Sequence, residues 1–511
     1  MSLPGQDIDP RLLAKIAVAK ADRQKHQRWI NDILMMGMPT YDRVGESRTD
    51  SNSARTEEQD DLFDTTFQEA LEDFSVDMAS TFTPRFERWV RFEPDIELTE
   101  GQKKQIGGEL RRIEDAVFSE IERSNYYEAA AECFQFWGVG AMAAAVSDLG
   151  PLNPIHFQPI EVSDLLMERG PDGSVIGKWR EMRLDDNQLH IMWPAIFPAP
   201  VRNQGVAKHV VIDGCDRDFR VPGEERWIHR IIVDNRQRWA MAYKGAGSCP
   251  IITCRFRHQS KSAWGPGPAH KAVPIARVLD ELGYLNLKAL QRAIDPITSY
   301  EDDGVMNVEA GLDAGTWLPR AAGSKPPETL APDVRFDALI WNADDLRKRL
   351  KRALYQDRPE QEGKTPPTLG QWNDEKVWNT RRRETPRDRC VREWVVPIIE
   401  RIMYIKRQRG ELPDIKLGDR LIQVRPESPF SKAKDMEDVR VTQEILQIAA
   451  IMATAVQSMP GIDARATLEN IKKTLRERHL VLLTDEQMQR AAEIALQKAT
   501  VSDAGQAGAL A

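Results

Sequence analysis

The segment PRDRCVREWVVPIIERIMYIKRQRGELP, residues 386–413, is the most informative stretch of this chain. Its apolar residues recur at steps of three and four, which predicts one buried stripe of a helix formed by Val391, Trp394, Val395, Ile398, Ile402 and Ile405. Pro386 and Pro397 each remove a backbone donor, so we expect a kink at both. Gly410 is typical of a residue that ends a helix. The segment therefore predicts the last part of one long, twice-bent helix that begins near Trp372.

The opposite side of this helix is strongly basic. We expect it to be exposed and to carry Arg381, Arg382, Arg383, Arg387, Arg392, Arg401, Lys406 and Arg407. The pattern by itself indicates only a long surface helix of a large globular domain. Its role depends on the elements around it.

Length and composition exclude several classes of protein. A chain of 511 residues exceeds one compact core, so we expect roughly three or four structural units. A net charge of −8 gives no general attraction to nucleic acid, so any basic surface must be local. The five cysteines show neither zinc spacing nor a CxxC pair, which is typical of reduced intracellular thiols. Without a signal peptide or an apolar run of about 18 residues, we expect a soluble, cytosolic protein with no membrane partner.

Four helices are predicted in the first 150 residues. They cover residues 10–36, Phe63 to Phe82, about Thr99 to Tyr126, and Tyr127 to Ala143. An antiparallel, all-β module follows at 151–260, because short β-rich runs are separated by Gly-Pro and Asx turns. Its strands are predicted within Ile155–Leu184 and at Leu189–Trp193, His209–Asp213, Trp227–Asp234, Arg238–Lys244 and Ile251–Arg257. His209 and His229 fall in strands and are interpreted as core or surface histidines.

Two more helices precede the long one. The first follows the turn Gly265-Pro266-Gly267-Pro268 and ends at Asp295, and the second covers Asp344 to Tyr355. A short β-like excursion, Ile297 to Trp341, lies between them, and a polar loop, Gln356 to Gly370, comes after them. The chain closes with helices at Lys432–Ser458, Ala464–Glu477 and Asp485–Lys498 and with a tail of small residues from Ser502. The fold class predicted from this order is α+β, mainly helical.

No catalytic or metal motif is complete. The run Gly363-Lys364-Thr365 lacks the glycine that a phosphate loop needs five residues earlier, where Arg358 stands. The acidic run Glu301-Asp302-Asp303-Gly304 lacks the alternating ligands of a calcium loop. The eight histidines form no HExxH motif, and no GxSxG elbow is present. We expect a protein that is not an enzyme, with no metal and no cofactor.

The order of elements resembles that of the podovirus-type phage portal proteins, also called head-to-tail connecting proteins. The likeness extends over nearly the whole chain and rests on Phe63 to Phe92 with Thr83-Pro84 and Trp89-Val90-Arg91-Phe92, Phe136-Trp137-Gly138-Val139-Gly140, Gly265-Pro266-Gly267-Pro268, Glu393 to Arg401, Arg409-Gly410-Glu411-Leu412-Pro413, and Glu427-Ser428-Pro429. One departure is Thr368-Leu369-Gly370-Gln371, where the family usually has an Ala-Thr-Glu run.

The resemblance implies a portal architecture. Its parts would be a wing (1–264, with helices in 10–145 and the β module in 151–260), stem helices (265–296 and 343–357), a clip (297–342), a tunnel loop (358–370), a bent helix returning to the wing (371–431), and a crown with a tail (432–511). It also implies a homo-oligomeric ring, dodecameric in the family, at one capsid vertex of a virion assembled in the host cytoplasm. Double-stranded DNA would pass through its channel non-specifically during packaging and ejection.

The implied partners are the terminase large subunit, the major capsid protein and scaffold, and the tail adaptor or tail proteins. Candidate DNA-channel residues are Arg347, Lys348, Arg349, Lys351 and Arg352 on the second stem helix and Lys364 on the tunnel loop. Consecutive helical positions point about 100° apart, so at most two or three of the five face one axis. The others are expected to pair with Asp or Glu or to face solvent.

Two other interpretations stay open from the sequence. Another phage structural component, such as a scaffold or tail adaptor, is disfavoured because one chain carries helices, a β module, a helix pair and a crown in the order of a portal. A nucleic-acid-processing enzyme would use the Arg347–Arg352 run to bind phosphates. The incomplete phosphate loop and the negative net charge of the chain argue against this interpretation.

Overall fold

The structure, a computed structural model, describes residues 6–7, 9–45, 62–85, 87–94, 100–150, 152–198, 208–294, 298–301, 317–320, 336–356, 386–413, 416–417, 420–421 and 424–427. The chain divides into two compact units, Met1–Ser428 and Pro429–Ala511, and every described residue lies in the first. The predicted crown helices, the predicted tunnel loop and Lys364 fall outside the described residues.

Helices dominate the described part of the chain. We number them α1 (Pro10–Gly37), α2 (Thr66–Phe82), α3 (Glu100–Arg123), α4 (Tyr126–Val139), α5 (Asp186–Met192), α6 (Ala269–Ile294), α7 (Phe336–Ala353) and α8, which comprises residues 386–390, a π-helical turn at Val391–Val395, and Val396–Gln408. The apolar periodicity predicted each of them except α5.

The strands of the described residues form two main antiparallel sheets. They are β1 (Gln6–Asp7), β2 (Arg91–Pro94), β3 (Ala141–Ser147), β4 (His156–Ile160), β5 (Leu165–Arg169), β6 (Val175–Asp185), β7 (Lys208–Arg217), β8 (Arg226–Val233), β9 (Arg236–Lys244), β10 (Ile251–Arg255), β11 (Thr298–Glu301), β12 (Trp317–Arg320), β13 (Lys416–Leu417), β14 (Arg420–Leu421) and β15 (Val424–Glu427). The larger sheet has the order β1-β9-β8-β7-β6-β5, and the smaller has the order β10-β3-β4. Helices combined with antiparallel sheets confirm the α+β class.

The larger sheet is a meander joined by tight turns, as the sequence predicts for most of its strands. Asp234 and Asn235 connect β8 to β9 with φ angles of 48° and 62°. Two positive φ values match the type I′ turn, whose twist suits a hairpin. Three minor pairs complete the sheets: β11 with β12, which is parallel, and β13 with β14 and β15 with β2, which are antiparallel.

One face of the larger sheet packs against α1. Leu12, Ile16 and Ala19 of α1 form a buried cluster with residues of β5 to β8, among them Trp179. The indole of Trp179 lies over Gly177 on its own strand and Gly214 on the next, where any Cβ atom would collide with the ring. Glycine at these two positions makes room for a fully buried tryptophan in the middle of a sheet.

An aromatic core connects α2 and α4 to the smaller sheet. Phe74 and Phe82 of α2 contact Trp137 of α4, and Trp137 in turn contacts Phe256, which follows β10. Gly138 lets α2 approach α4 closely, because a Cβ atom there would lie 2.6 Å from a methyl carbon of Leu71. These rings are fully or almost fully buried, so they stabilise the contact by removing large apolar surfaces from water.

Helix α8 passes through this core and confirms the predicted apolar stripe. Trp394, Ile398 and Ile402 are among its buried residues. The π-helical turn Val391–Val395 directly precedes Pro397, and the N–H of Val396 donates to the carbonyl of Val391. The wider turn accommodates a proline that lacks an N–H and would crowd the preceding carbonyl. Gly410 has a φ of 74° and follows the last helical turn, as predicted.

The predicted exposure of the basic side of α8 is partly wrong. Arg392 and Arg407 are exposed, whereas Arg401 and Lys406 are buried. The reason is that α8 lies against the smaller sheet on one side and near α3 on another, so it has more than one buried face. Arg381, Arg382 and Arg383 lie outside the described residues.

Several predicted boundaries are also corrected. The stretch predicted as a strand at Leu189–Trp193 belongs mostly to α5, which begins with a capping box between Asp185 and Gln188. The fourth helix ends at Val139, and Ala141–Ser147 forms a buried strand although alanines favour helices, because pairing with β10 and β4 overrides that propensity. Helix α7 begins at Phe336, so the end of the predicted clip, 297–342, is helical.

Candidate functional site: the α6–α7 helix pair

The basic run that the sequence singles out lies on α7, which packs against α6. Arg347, Lys348, Arg349, Lys351 and Arg352 are all exposed. Leu350 of α7 and Leu354, which directly follows the helix, are fully buried and anchor it. Helix α7 therefore presents a cationic surface while one apolar edge holds it to the rest of the unit.

Arg347 and Arg349 form ion pairs with nearby carboxylates. Arg347 donates to Asp64 at 2.9 Å and to Asp344 at 3.4 Å. Arg349 pairs with Asp345 at 2.8 Å, one helical turn away. These contacts match the sequence expectation that some members of the run pair with carboxylates.

Asp64 is a partner that the sequence analysis missed. Burial would raise the pKa of its carboxyl group, but hydrogen bonds from Thr66 and Arg347 lower the pKa below its usual value. The ionised form is therefore held in place beneath Arg347. Asp64 is 283 residues from Arg347 in the chain, so no local pattern in the sequence joins them.

The segment before α2 also ties α6 to this site. The backbone N–H groups of Phe63 and Asp64 donate to the carboxylate of Asp280 at 2.7 and 3.3 Å. The ring of Phe63 packs against Tyr284, with centroids 5.2 Å apart. Asp64 thus contacts α7 through its side chain and α6 through its backbone, and it links the two helices.

Helix α6 leaves two rows of apolar side chains in solvent. Val278, Leu285, Leu287, Leu290 and Ile294 are between 49% and 75% exposed. Val278 and Leu285 are seven residues apart and share one face, while the other three follow steps of three and four and share another. Leu285 and Leu287 are two positions apart, about 200° around the helix, so the two rows point in nearly opposite directions.

The histidines of the larger sheet are parts of ion pairs within the sheet. His229 and Arg180 both bond to the buried carboxylate of Asp213, at 2.6 and 2.8 Å. Burial would raise the pKa of Asp213, but the charges of Arg180 and His229 lower it to about 2. His209 contacts Asp234 at 2.5 Å and Asp186 at 3.2 Å, which raises its pKa. Both histidines are half-buried and lie in strands, as the sequence predicts.

Buried cations on α8 were not foreseen. Arg401 donates to the backbone carbonyls of Gly247, Ser248 and Val146 at 3.1–3.4 Å, so it joins α8 to β3 and to the loop before β10. Lys406 pairs with Glu120 of α3 at 3.1 Å. Both residues occur in a basic pattern that is typical of an exposed side of a helix. Their burial follows only from the contacts that α8 makes with distant elements.

The part of the chain that the structure describes offers no metal site and no membrane span. No group of three or more His, Cys, Asp or Glu side chains there is placed to hold a metal ion. Among the described helices, none is both long and apolar enough to cross a bilayer.

Comparison with known proteins finds a family model and solved structures that are similar to this chain. A family model described as bacteriophage head to tail connecting protein matches residues 10–476. Two similar solved structures are the virion of a native gene transfer agent (GTA) particle and the neck of an empty GTA particle computed with C6 symmetry. Their identities are 12% and 11%, each has a TM-score of 0.34, and each likeness covers 81% of this chain and 94% of the other. No curated protein matches.

Proposed function

This chain belongs to the bacteriophage head to tail connecting protein family, and on that premise we propose that it is a portal: a closed ring at one capsid vertex through which double-stranded DNA enters and leaves. Members of the family are structural components of phage particles, so the prediction that the chain is not an enzyme is confirmed. The ring, the channel and the podovirus type belong to the proposal.

The proposed architecture keeps the parts that the resemblance implies. Residues 1–264 form the wing, residues 265–296 (with α6) and 343–357 (with the later part of α7) form the stem, and residues 297–342 form the clip. The tunnel loop (358–370), the bent helix of 371–431 and the crown (432–511) complete the subunit. The packing of α6 on α7 supports the side-by-side stem.

The single observation that carries the ring is the pair of exposed apolar rows on α6. A subunit in a closed ring contacts one neighbour on each side through two different surfaces. Leu285 belongs to one row and Leu287 to the other, and these two side chains point in nearly opposite directions from one helix. Two such rows suit two neighbours, because burying each of them removes apolar surface from water.

The ring is tested by native mass spectrometry and light scattering on the purified protein. We expect a closed assembly of about a dozen subunits in the parent, and loss of that assembly in Leu287→Glu, because a charge in a buried interface row is costly. Leu152→Glu is the matched control, since Leu152 is 93% exposed and lies on no helix. A monomeric parent, or rings in Leu287→Glu as stable as those of the control, would contradict the proposal.

The basic surface of α7 is proposed to touch DNA non-specifically in the channel, together with Lys364. One cation per subunit, repeated around a ring, makes a positive collar whose attraction falls as salt rises. Arg349 is paired one turn away at the surface and Lys351 is exposed, so both are available for this contact. Arg347 is anchored by Asp64 and is more important for the helix pair.

The DNA contact is tested by changing Arg347, Lys348, Arg349, Lys351, Arg352 and Lys364 to Gln, one at a time, and by measuring ring formation and packaged DNA in the same preparations. We expect at least one variant to assemble normally but to package or retain DNA abnormally. Normal packaging and retention in every variant would show that the run is only a solvated helix face.

The proposed partners follow from a portal's position in the particle. They are further copies of this chain, the terminase large subunit, the major capsid protein and scaffold, and the tail adaptor or tail proteins, with assembly in the host cytoplasm. Because the chain is not an enzyme, the energy for packaging must come from a separate motor. Purified protein should therefore hydrolyse neither ATP nor DNA, and turnover that disappears on changing Lys364 would contradict this.

A further inference from the structure

A cavity of about 190 Å³ lies where α2 and α4 meet the residues just after α7 and the start of α8. Phe74 and Phe82 of α2, Trp137 of α4 and Phe256 after β10 form its aromatic walls. Tyr355, just beyond α7, also lines it. Its size is comparable to that of apolar protein cavities that bind benzene.

The walls of the cavity are held in place by one another. The ring centroids of Trp137 and Phe256 are 4.8 Å apart with an interplanar angle of 65°, and those of Phe82 and Trp137 are 5.8 Å apart at 85°. These edge-to-face arrangements are favourable, so the rings gain little by rotating into the open space. The cavity is therefore a preformed aromatic pocket.

One lining residue, Trp137, carries a polar atom that has no hydrogen-bond partner among the described residues. Trp137 is fully buried, and its indole Nε1–H finds no acceptor among the described residues. A buried donor without a partner is unfavourable because it has lost its hydrogen bond to water and forms none within the protein. A molecule in the cavity that carries an acceptor can supply the missing hydrogen bond.

We infer that this cavity is a binding site for a small, planar aromatic molecule with one hydrogen-bond acceptor. Its ring would pack between Phe74, Phe82 and Phe256, and its acceptor would receive the N–H of Trp137. Most of the lining is apolar or aromatic, with Thr81 and Arg387 as its polar members. A polyol or a sugar would therefore lose water from many hydroxyl groups and find few partners. The bound molecule would join α2 and α4 to Tyr355 at the end of α7. This site is independent of ring formation.

The test uses two probes of nearly the same shape, acetophenone and α-methylstyrene, which differ in having a carbonyl oxygen or a CH₂ group at the same place. Binding to the full-length protein is measured by ligand-observed NMR titration. We expect both to saturate one site and acetophenone to bind about five-fold more tightly, as one hydrogen bond to a buried donor implies.

Trp137→Phe removes the donor and keeps an aromatic wall. We expect this variant to bind both probes with nearly equal affinity. Trp264→Phe is the matched control: Trp264 is also fully buried with an unpaired Nε1, and it does not line the cavity. The control should keep the five-fold preference for acetophenone. A preference that persists in Trp137→Phe would overturn the role of its N–H.

A second variant guards against misfolding of the first. Thr81 lines the cavity and is partly exposed, so Thr81→Phe should fill the space and abolish binding of both probes without unfolding the chain. Binding unaffected by Thr81→Phe would place the probes elsewhere and overturn the inference. Failure of the parent protein to bind either probe saturably would overturn it as well, because the cavity would then be closed or filled in solution.

Discussion

The core around α4 and α8 and the α6–α7 pair bury their apolar residues to very different degrees. In the core, Phe134, Trp137 and Trp394 are completely or almost completely buried. In the second half of α6, Leu287 remains 54% exposed and Ile294 75% exposed. The core is thus completed among the described residues of one chain, whereas the helix pair leaves apolar surface exposed there.

The charges differ in the same way. In the core, Lys406 and Glu120 form an ion pair with 9% and 3% of their side chains exposed. On α7, Arg349 and Asp345 pair with 66% and 44% exposed. Buried pairs are costly to break, while exposed pairs contribute little to stability. The core should therefore control folding of the subunit, and the helix pair should control what the subunit binds.

The largest effect is expected where α8 crosses the aromatic core. Trp394→Ala leaves a large cavity beside Phe134 and should lower the free energy of unfolding by about 3–5 kcal/mol. Val76→Ala is the control, because Val76 is exposed on α2 and should change stability by less than about 0.5 kcal/mol. Urea unfolding followed by circular dichroism measures both variants. A loss of unfolding free energy below about 1 kcal/mol for Trp394→Ala would contradict the greater contribution of the core to folding.

The next effect concerns the buried guanidinium of Arg401. Arg401→Met keeps the length of the side chain but leaves the carbonyls of Gly247, Ser248 and Val146 without this donor. We expect a loss of about 2–4 kcal/mol, because each buried unpaired carbonyl is unfavourable. Arg407→Met changes the same residue type at an exposed position of the same helix and should be nearly neutral. Equal unfolding curves for the two variants would show that the burial of Arg401 is unimportant.

A pH-dependent effect of about 2–3 kcal/mol is expected from the larger sheet. The pKa of Asp213 is lowered to about 2 in the folded chain, against about 3.9 in an unfolded one. A depressed carboxyl pKa contributes stability above pH 4, and that contribution is lost as the pH falls from about 4 to about 2.

Asp213→Asn tests this contribution. The variant should be less stable than the parent at pH 7, because Arg180 loses a buried charged partner, and the difference should shrink towards pH 2. Unfolding free energies measured at several pH values show the trend. A difference that stays constant from pH 7 to pH 2 would mean that Asp213 is not ionised in the folded protein.

The smallest effect on folding is expected on α6. Leu290→Ala removes a side chain that is 49% exposed, so the dissociated subunit should lose less than about 0.5 kcal/mol. The same variant should weaken assembly, since its row is proposed to be buried only between subunits. Unfolding at a concentration below assembly and sedimentation above it separate the two effects. A loss above about 2 kcal/mol in the dissociated subunit would show that α6 is already covered within one chain.

Much of the fold was predictable because it follows from local patterns. The periodicity of α8, the helix-ending Gly410 and most of the β module were predicted and confirmed. The one missed helix, α5, had a usable signal in Asp185-Asp186-Asn187-Gln188, whose first and last residues form the capping box. The alanine-rich strand β3 had no such signal, because only pairing with β10 and β4 makes it a strand.

The candidate site was predictable only in part. The basic run on α7 is visible in the sequence, and its five members are exposed in the structure. Its anchoring by Asp64 was missed, since Asp64 and Arg347 meet only after the chain folds back over 283 residues. The exposed rows of α6 were missed for a related reason: periodicity shows that a helix has apolar positions, and it does not show whether a neighbour covers them.

The sequence by itself determined the kinds of elements, their order, the basic run and the resemblance that the family match confirmed, because helix periodicity, turns and motifs are properties of neighbouring residues. The tertiary structure alone decided that Arg401 and Lys406 are buried, that α6 keeps two apolar rows exposed, and that aromatic side chains from separate elements enclose a cavity. Burial depends on which distant elements approach one another, and in this chain those contacts join residues more than a hundred positions apart.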